Sequence, residues 1–249
     1  MQSYKQKHRK QLNSDQLDLL RLLSRFRFAS SDLIAKYFNK PSGMYANKRL
    51  TILKDQDYII RRYEPSYKLA GRPAAYYLSP KGAHILNELD LVNISLKSIY
   101  RSDALSDNFV DHCLSLLNIY LSLNALYKDQ LSFLTKAEIS KLDYFPKQLP
   151  DAYFKLSKKN HAKHYFLEIV DEATPLFILK RRIKQYIYYK DVRDWEEIDK
   201  IFPSIIFYCK SVTTSKKLEA KISSLLEAEG VDSMNIICSS ADDLSIGAV

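Results

Sequence analysis

The sequence predicts two fold classes in succession, α+β and then α/β with a mixed sheet. Charge is the first sign: residues 1–91 carry 17 Lys and Arg against 8 Asp and Glu, and residues 92–249 carry 21 against 21. The whole surplus of +9 therefore belongs to the first part, as in a chain with one polyanion-holding module and one neutral module. The second sign is that the first part shows helical apolar spacing followed by two short Tyr- and Ile-rich runs. The third is that strand-like runs alternate with helical ones in the second part. At 249 residues and 46% hydrophobic, with five Gly and eight Pro, the chain can bury two cores and is too apolar for disorder.

In the first part, Ser14 precedes Leu17, Leu20, Leu23 and Phe26 at helical spacing, with Asp15 and Asp18 suited to the first turn. A short helix carrying Leu33, Ile34 and Phe38 follows and ends at the breaker 39–43. A third helix is expected over about 42–55. It buries Ala46, Leu50 and Leu53 and shows Met44, Tyr45, Asn47, Lys48 and Thr51. Residues 58–62 and 74–78 have strand composition, and a loop containing Lys68, Gly71, Arg72 and Pro73 joins them. Ser79-Pro80 then opens a closing helix with Pro at its first position.

Three helices, a hairpin and a closing helix make a winged helix-turn-helix. Its third helix would offer Asn47, Lys48 and Thr51 to base edges in a duplex major groove. Arg61, Arg62, Lys68 and Arg72 on the wing would lie along phosphates, and Lys7, Arg9 and Lys10 would form an arm. The expected organisation is an arm over 1–12, the DNA-binding domain over 13–91, a connector over 92–103, the α/β domain over 104–240 and a tail over 241–249.

The second part opens with an apolar helix over 104–127, with Phe109, Leu116, Tyr120 and Leu123 facing inward and His112 within it. Strands are expected at 131–134, 152–156, 165–170, 205–209 and 235–238, with helices at 175–189 and 215–228. Only two Gly follow residue 91, which excludes a P-loop and a dinucleotide fingerprint. Asp151 and Glu168 stand near the ends of two adjacent strands, where paired carboxylates suit Mg or Mn. A PD-(D/E)xK nuclease adds a lysine two residues after the second acid, and Val170 stands there instead. Lys180 and Lys184, one turn apart on the next helix, are the alternative lysines. The bland alternative for Glu168 is an ion pair with Arg182 or Lys184. His161 and His164 flank a hairpin tip and are expected in solvent, and the aromatics over 186–189 are expected in the core. The three cysteines, far apart, suit a reducing cytoplasm and no zinc site. No 18-residue apolar run is present and the N-terminus is polar, so neither a membrane span nor a secretory leader is expected.

The segment 71–83, GRPAAYYLSPKGA, resembles the replication-relaxation family of plasmids and integrative elements. So do the His112 helix, the run 150–152, the Glu168 strand, the run 173–176 and the basic helix ending at Tyr189. The resemblance runs from about residue 17 to 209. It implies kinship with MobC-type relaxases and a restriction-endonuclease-like core, and hence binding of double-stranded DNA at an origin-like site for replication, relaxation or mobilisation. Active relaxases of that type carry a second acid and a lysine beyond the first acid; Val170 and Glu172 stand in that region here, and Arg182 takes the place that aligns with the lysine. Three readings stay open: an accessory DNA-binding protein, a homodimer or a partner of replication or mobilisation proteins, with a degenerate core; a Mg- or Mn-dependent nickase; and a dimeric transcription regulator.

Overall fold

The computed structural model describes residues 12–93, 105–158, 161–171, 174–192, 194–199, 201–230 and 234–240. The arm residues Lys7, Arg9 and Lys10, most of the expected connector, the hairpin tip 159–160, Glu172 and the tail 241–249 lie outside them. The chain divides into two compact units, Met1–Leu114 and Ser115–Val249.

The first unit begins with helix α1 (Ser14–Phe26), which buries Leu19, Leu20, Leu22, Leu23 and Phe26. Its cap is Asn13, one residue before the expected Ser14. The Asn13 carboxamide accepts from Gln16 N and the Gln16 side chain accepts from Asn13 N, so both orphan donors are satisfied at once. Strand β1 (Ala29–Ser30) was not expected; two residues without a hydrophobic alternation carry too little pattern to read. Helix α2 (Ser31–Tyr37) follows, capped by Ser30, and helix α3 (Met44–Asp55) buries Ala46, Leu50 and Leu53 as expected. Asp32 Oδ1 accepts from Gly43 N at 3.0 Å and fixes the turn between α2 and α3.

Strands β2 (Ile59–Arg62) and β3 (Ala75–Leu78) form an antiparallel hairpin, and β1 adds to the far side of β3, giving the order β1-β3-β2. The segment joining β2 to β3 is not a plain loop. Pro65 starts a one-turn helix, α4 (Pro65–Leu69), which buries the Tyr67 ring. Helix α5 (Pro80–Glu88) starts with Pro at its first position, and Ser79 Oγ accepts from Gly82 N at 3.0 Å.

Helix α6 (Asp107–Tyr127) is long and apolar enough to cross a membrane by length and composition alone. Its first turns instead pack Val110 and Cys113 against Phe28, Ala75 and Tyr77 of the first unit.

In the second unit, β4 (Leu131–Thr135), β5 (Ala152–Lys158), β6 (His161–Val170), β7 (Ser204–Cys209) and β8 (Ile236–Ser240) form one sheet in sequence order. The first three are antiparallel; β6/β7 and β7/β8 are parallel, so the sheet is mixed. The parallel pairs need crossovers, supplied by helices α8 (Leu176–Asp191) and α9 (Val212–Glu229); a four-residue helix, α7 (Lys136–Ile139), follows β4. On one sheet face Phe166, Val170, Ile205 and Phe207 pack with Leu179, Ile183 and Tyr186 of α8 and Leu218 and Ile222 of α9. On the other, the rings of Tyr120, Phe133, Phe154 and Tyr165 follow one another at 4.7–6.1 Å.

Candidate functional site

Two places carry the charged residues that the sequence singles out. The first lies between α3 and the hairpin. The 3.6-residue period that buries Ala46, Leu50 and Leu53 turns Asn47, Lys48 and Thr51 outward, and all three are exposed. A polar concavity of about 290 Å³ is lined by Asn47, Leu50, Thr51, Lys54, Arg61 and Tyr76, so the helix and β2 present their polar groups to one space. The Arg61 guanidinium lies 4.6 Å from the Tyr63 ring centroid, which steers it. Lys68 is exposed on α4.

Arg62 and Arg72, expected along phosphates, are turned inward. Arg62 donates to Tyr67 Oη at 2.8 Å, to the Leu105 carbonyl at 2.7 Å and to Asp107 Oδ1 at 2.8 Å. Arg72 pairs with Asp107 at 2.9 Å and with Asp111 at 2.6 Å. Tyr67 donates its hydroxyl to the same Asp107. These cations tie the segment between β2 and β3 to the start of α6. The signal that sequence reading missed was the spacing of Asp107 and Asp111, four apart on one face of a helix start. The Tyr67 hydroxyl, helped by Arg62 and Arg72, holds the Asp107 carboxyl below its usual range. With the folded value depressed, this contribution to stability is present at neutral pH and lost as acid protonates the carboxyl. Asp107→Ala leaves Arg62, only 15% exposed, without its charge partner; a loss of about 2 kcal/mol is expected from urea midpoints at neutral pH.

The second place is the acidic pair. Asp151 immediately precedes β5; its amide donates to Leu167 O at 3.0 Å and its Oδ2 accepts from Ile169 N at 2.9 Å. Glu168 sits two positions past Phe166 on the inner face of β6, buried under α8. Its Oε1 accepts from Arg182 Nε at 2.7 Å, from a second Arg182 nitrogen and from the Tyr186 hydroxyl. Arg182 also donates to the carbonyls of Gln148 and Leu149, each at 2.6 Å. Burial pushes the Glu168 carboxyl up to about 7; the Asp151 charge adds to the rise, while Arg182 and Tyr186 oppose it. Lys180 and Lys184 are exposed on α8, whereas Arg182 between them is buried. The cation beside Glu168 is therefore Arg182, not either lysine. Among the described residues no group of three His, Cys, Asp or Glu side chains converges to hold a metal.

His164 is a further departure, since solvent was expected around it. Its side chain is buried beside Trp195, with Nδ1 2.6 Å from Tyr153 Oη and Nε2 3.1 Å from Asp199 Oδ2. The position lies two residues before inward Phe166 along β6, which places it on the same, core face. Burial lowers its pKa against the pull of Asp199. His161 is exposed, as expected. Tyr186 and Tyr189 are core residues, but Tyr188 between them is 68% exposed.

A sequence profile of the replication-relaxation family matches residues 20–205, from within α1 to the start of β7. The chain belongs to the replication-relaxation family. No match was found among curated proteins or among solved structures. Within this replication-relaxation protein the matched span holds both places just described, the α3 concavity and the Asp151–Glu168 pair.

Proposed function

We propose that this replication-relaxation protein binds double-stranded DNA through its first unit and acts in replication, relaxation or mobilisation of a plasmid or mobile element in the cytoplasm. In this reading the first unit is a winged helix-turn-helix with α3 in the major groove. The observation that carries it is the concavity where Asn47, Thr51, Lys54 and Arg61 converge, within the first 91 residues, which hold the entire positive surplus. Asn47 and Thr51 suit base edges, and Lys48, Lys54, Arg61 and Lys68 suit phosphates. Arg62 and Arg72 shape the hairpin and touch no DNA.

The test is duplex binding at several salt concentrations. Lys48→Ala/Arg61→Ala is expected to weaken affinity at least tenfold and to flatten the salt slope by about two phosphates' worth, about 0.9 each. Asn47→Ala should lower discrimination between sites while leaving that slope unchanged. An unchanged affinity and slope in the double variant would overturn the reading.

The second unit, in the same reading, is a restriction-endonuclease-like core related to that of MobC-type relaxases. Glu168 of its acidic pair is satisfied by Arg182 and Asp151 by the Ile169 amide, where a nuclease would keep a metal position open. Supercoiled plasmid incubated with Mg²⁺ or Mn²⁺ is expected to stay supercoiled. Nicking that disappears in Asp151→Ala would replace this reading with a metal-dependent nickase.

A further inference from the structure

Helix α8 has two faces of different chemistry. Leu179, Arg182, Ile183, Tyr186 and Tyr189 are buried against the sheet. The outward face carries Phe177, Lys180, Arg181, Lys184 and Tyr188, all exposed. Phe177, Arg181, Lys184 and Tyr188 are spaced by four, three and four residues, so they form one stripe about 16 Å long at 1.5 Å per residue. Phe177 is 66% and Tyr188 68% exposed, unusual for two rings that bracket three cations. No Asp or Glu occurs between Leu176 and Lys190, although the second part of the chain as a whole is neutral. The strip is thus locally positive within a neutral part of the chain, and it ends in aromatic faces.

We propose that this face of α8 binds an unpaired DNA strand. Lys180, Arg181 and Lys184 neutralise successive phosphates, and Phe177 and Tyr188 stack on bases at either end. Cations alone would suit any polyanion, a duplex included. Exposed rings discriminate, because the bases of a duplex are already stacked on one another and an unpaired strand offers its faces. The ligand differs from the one proposed for the first unit, and the site stands whether or not that unit binds duplex. A protein acting in replication or relaxation meets such strands wherever duplex is opened.

The experiment measures binding of the full chain to a fluorescent single-stranded oligonucleotide and to its duplex. Phe177→Ala/Tyr188→Ala is expected to weaken single-strand binding at least tenfold and to change duplex binding less than twofold. Lys180→Gln/Lys184→Gln should weaken single-strand binding and flatten its salt dependence. Lys48→Ala/Arg61→Ala should weaken duplex binding only, so failure of the first unit's reading shows separately. The proposal is overturned if the wild-type chain ignores the single strand, or if the aromatic variant binds it as wild type does. Equal losses on both ligands would also overturn it. So would vesicles of anionic lipid that bind the wild type and lose these variants, with no single-strand binding.

Discussion

Replacing Arg182 with Met is expected to destabilise the protein by about 4 kcal/mol at pH 8 and by about 1.4 kcal/mol less near pH 5, one pKa unit's worth. In the wild type, Arg182 answers the Glu168 carboxylate and the carbonyls of Gln148 and Leu149 with one guanidinium. Met fills similar volume but donates to none of them. Glu168 then faces the Asp151 charge from a buried position with only the Tyr186 hydroxyl to support it. Its folded pKa, already about 7 with the arginine present, rises further. A carboxyl whose folded value lies above its unfolded value stabilises the fold fully below the unfolded value. That contribution is lost as pH climbs through the folded value. The deficit of Arg182→Met therefore grows from acid to alkaline pH, and urea midpoints at pH 5 and 8 measure it. Glu168→Gln/Arg182→Met should recover much of the loss, since a neutral amide still accepts from Tyr186 and leaves no buried charge. A deficit independent of pH would contradict this account of the pair.

Gly82→Ala is expected to cost about 3 kcal/mol, an overpacking penalty against backbone. A Cβ at Gly82 would run into the Tyr58 carbonyl, with Leu78 Cδ2 and Tyr58 C each at 3.1 Å. Tyr58 cannot retreat cheaply, because its carbonyl accepts from Ser79 N at 3.1 Å and Ser79 in turn caps α5. The substitution pushes α5 off the hairpin at the point where its cap is built. Gly71→Ala is the useful contrast. Nothing lies within 4 Å of its added Cβ, and only its φ of +63 opposes a side chain, so about 1 kcal/mol is expected. Thermal unfolding of both variants tests the difference; equal midpoints would mean that the close approach at Gly82 relaxes at little cost.

Periodic segments were legible in the sequence, and contacts between distant segments were not. The buried faces of α1 and α3, the Pro-initiated α5 and all five strands of the second sheet follow from apolar spacing and turn chemistry. Strand β1 was invisible because two residues carry no period, and α4 because one turn opened by Pro65 reads as a loop. The pairing of Glu168 with an arginine on the covering helix was among the alternatives the sequence allowed. Only the geometry selects Arg182 over Lys184, since the helix that buries one exposes the other. The aspartate partners of Arg62 and Arg72 were not legible for a plain reason. A guanidinium on a hairpin looks the same whether its partner is a phosphate or an aspartate forty residues away.

That last pairing bears on what counts as a self-sufficient piece of this chain. The polar stretch after α5 invites a cut near residue 91, and a fragment ending there would contain every element of the three-stranded sheet. It would lack Asp107 and Asp111, leaving two arginines without their carboxylate partners, and Val110 and Cys113, which pack with Phe28 and Tyr77. The first compact unit extends to Leu114. Recombination that moved the basic segment onto another partner would have to carry the first two turns of α6 along with it.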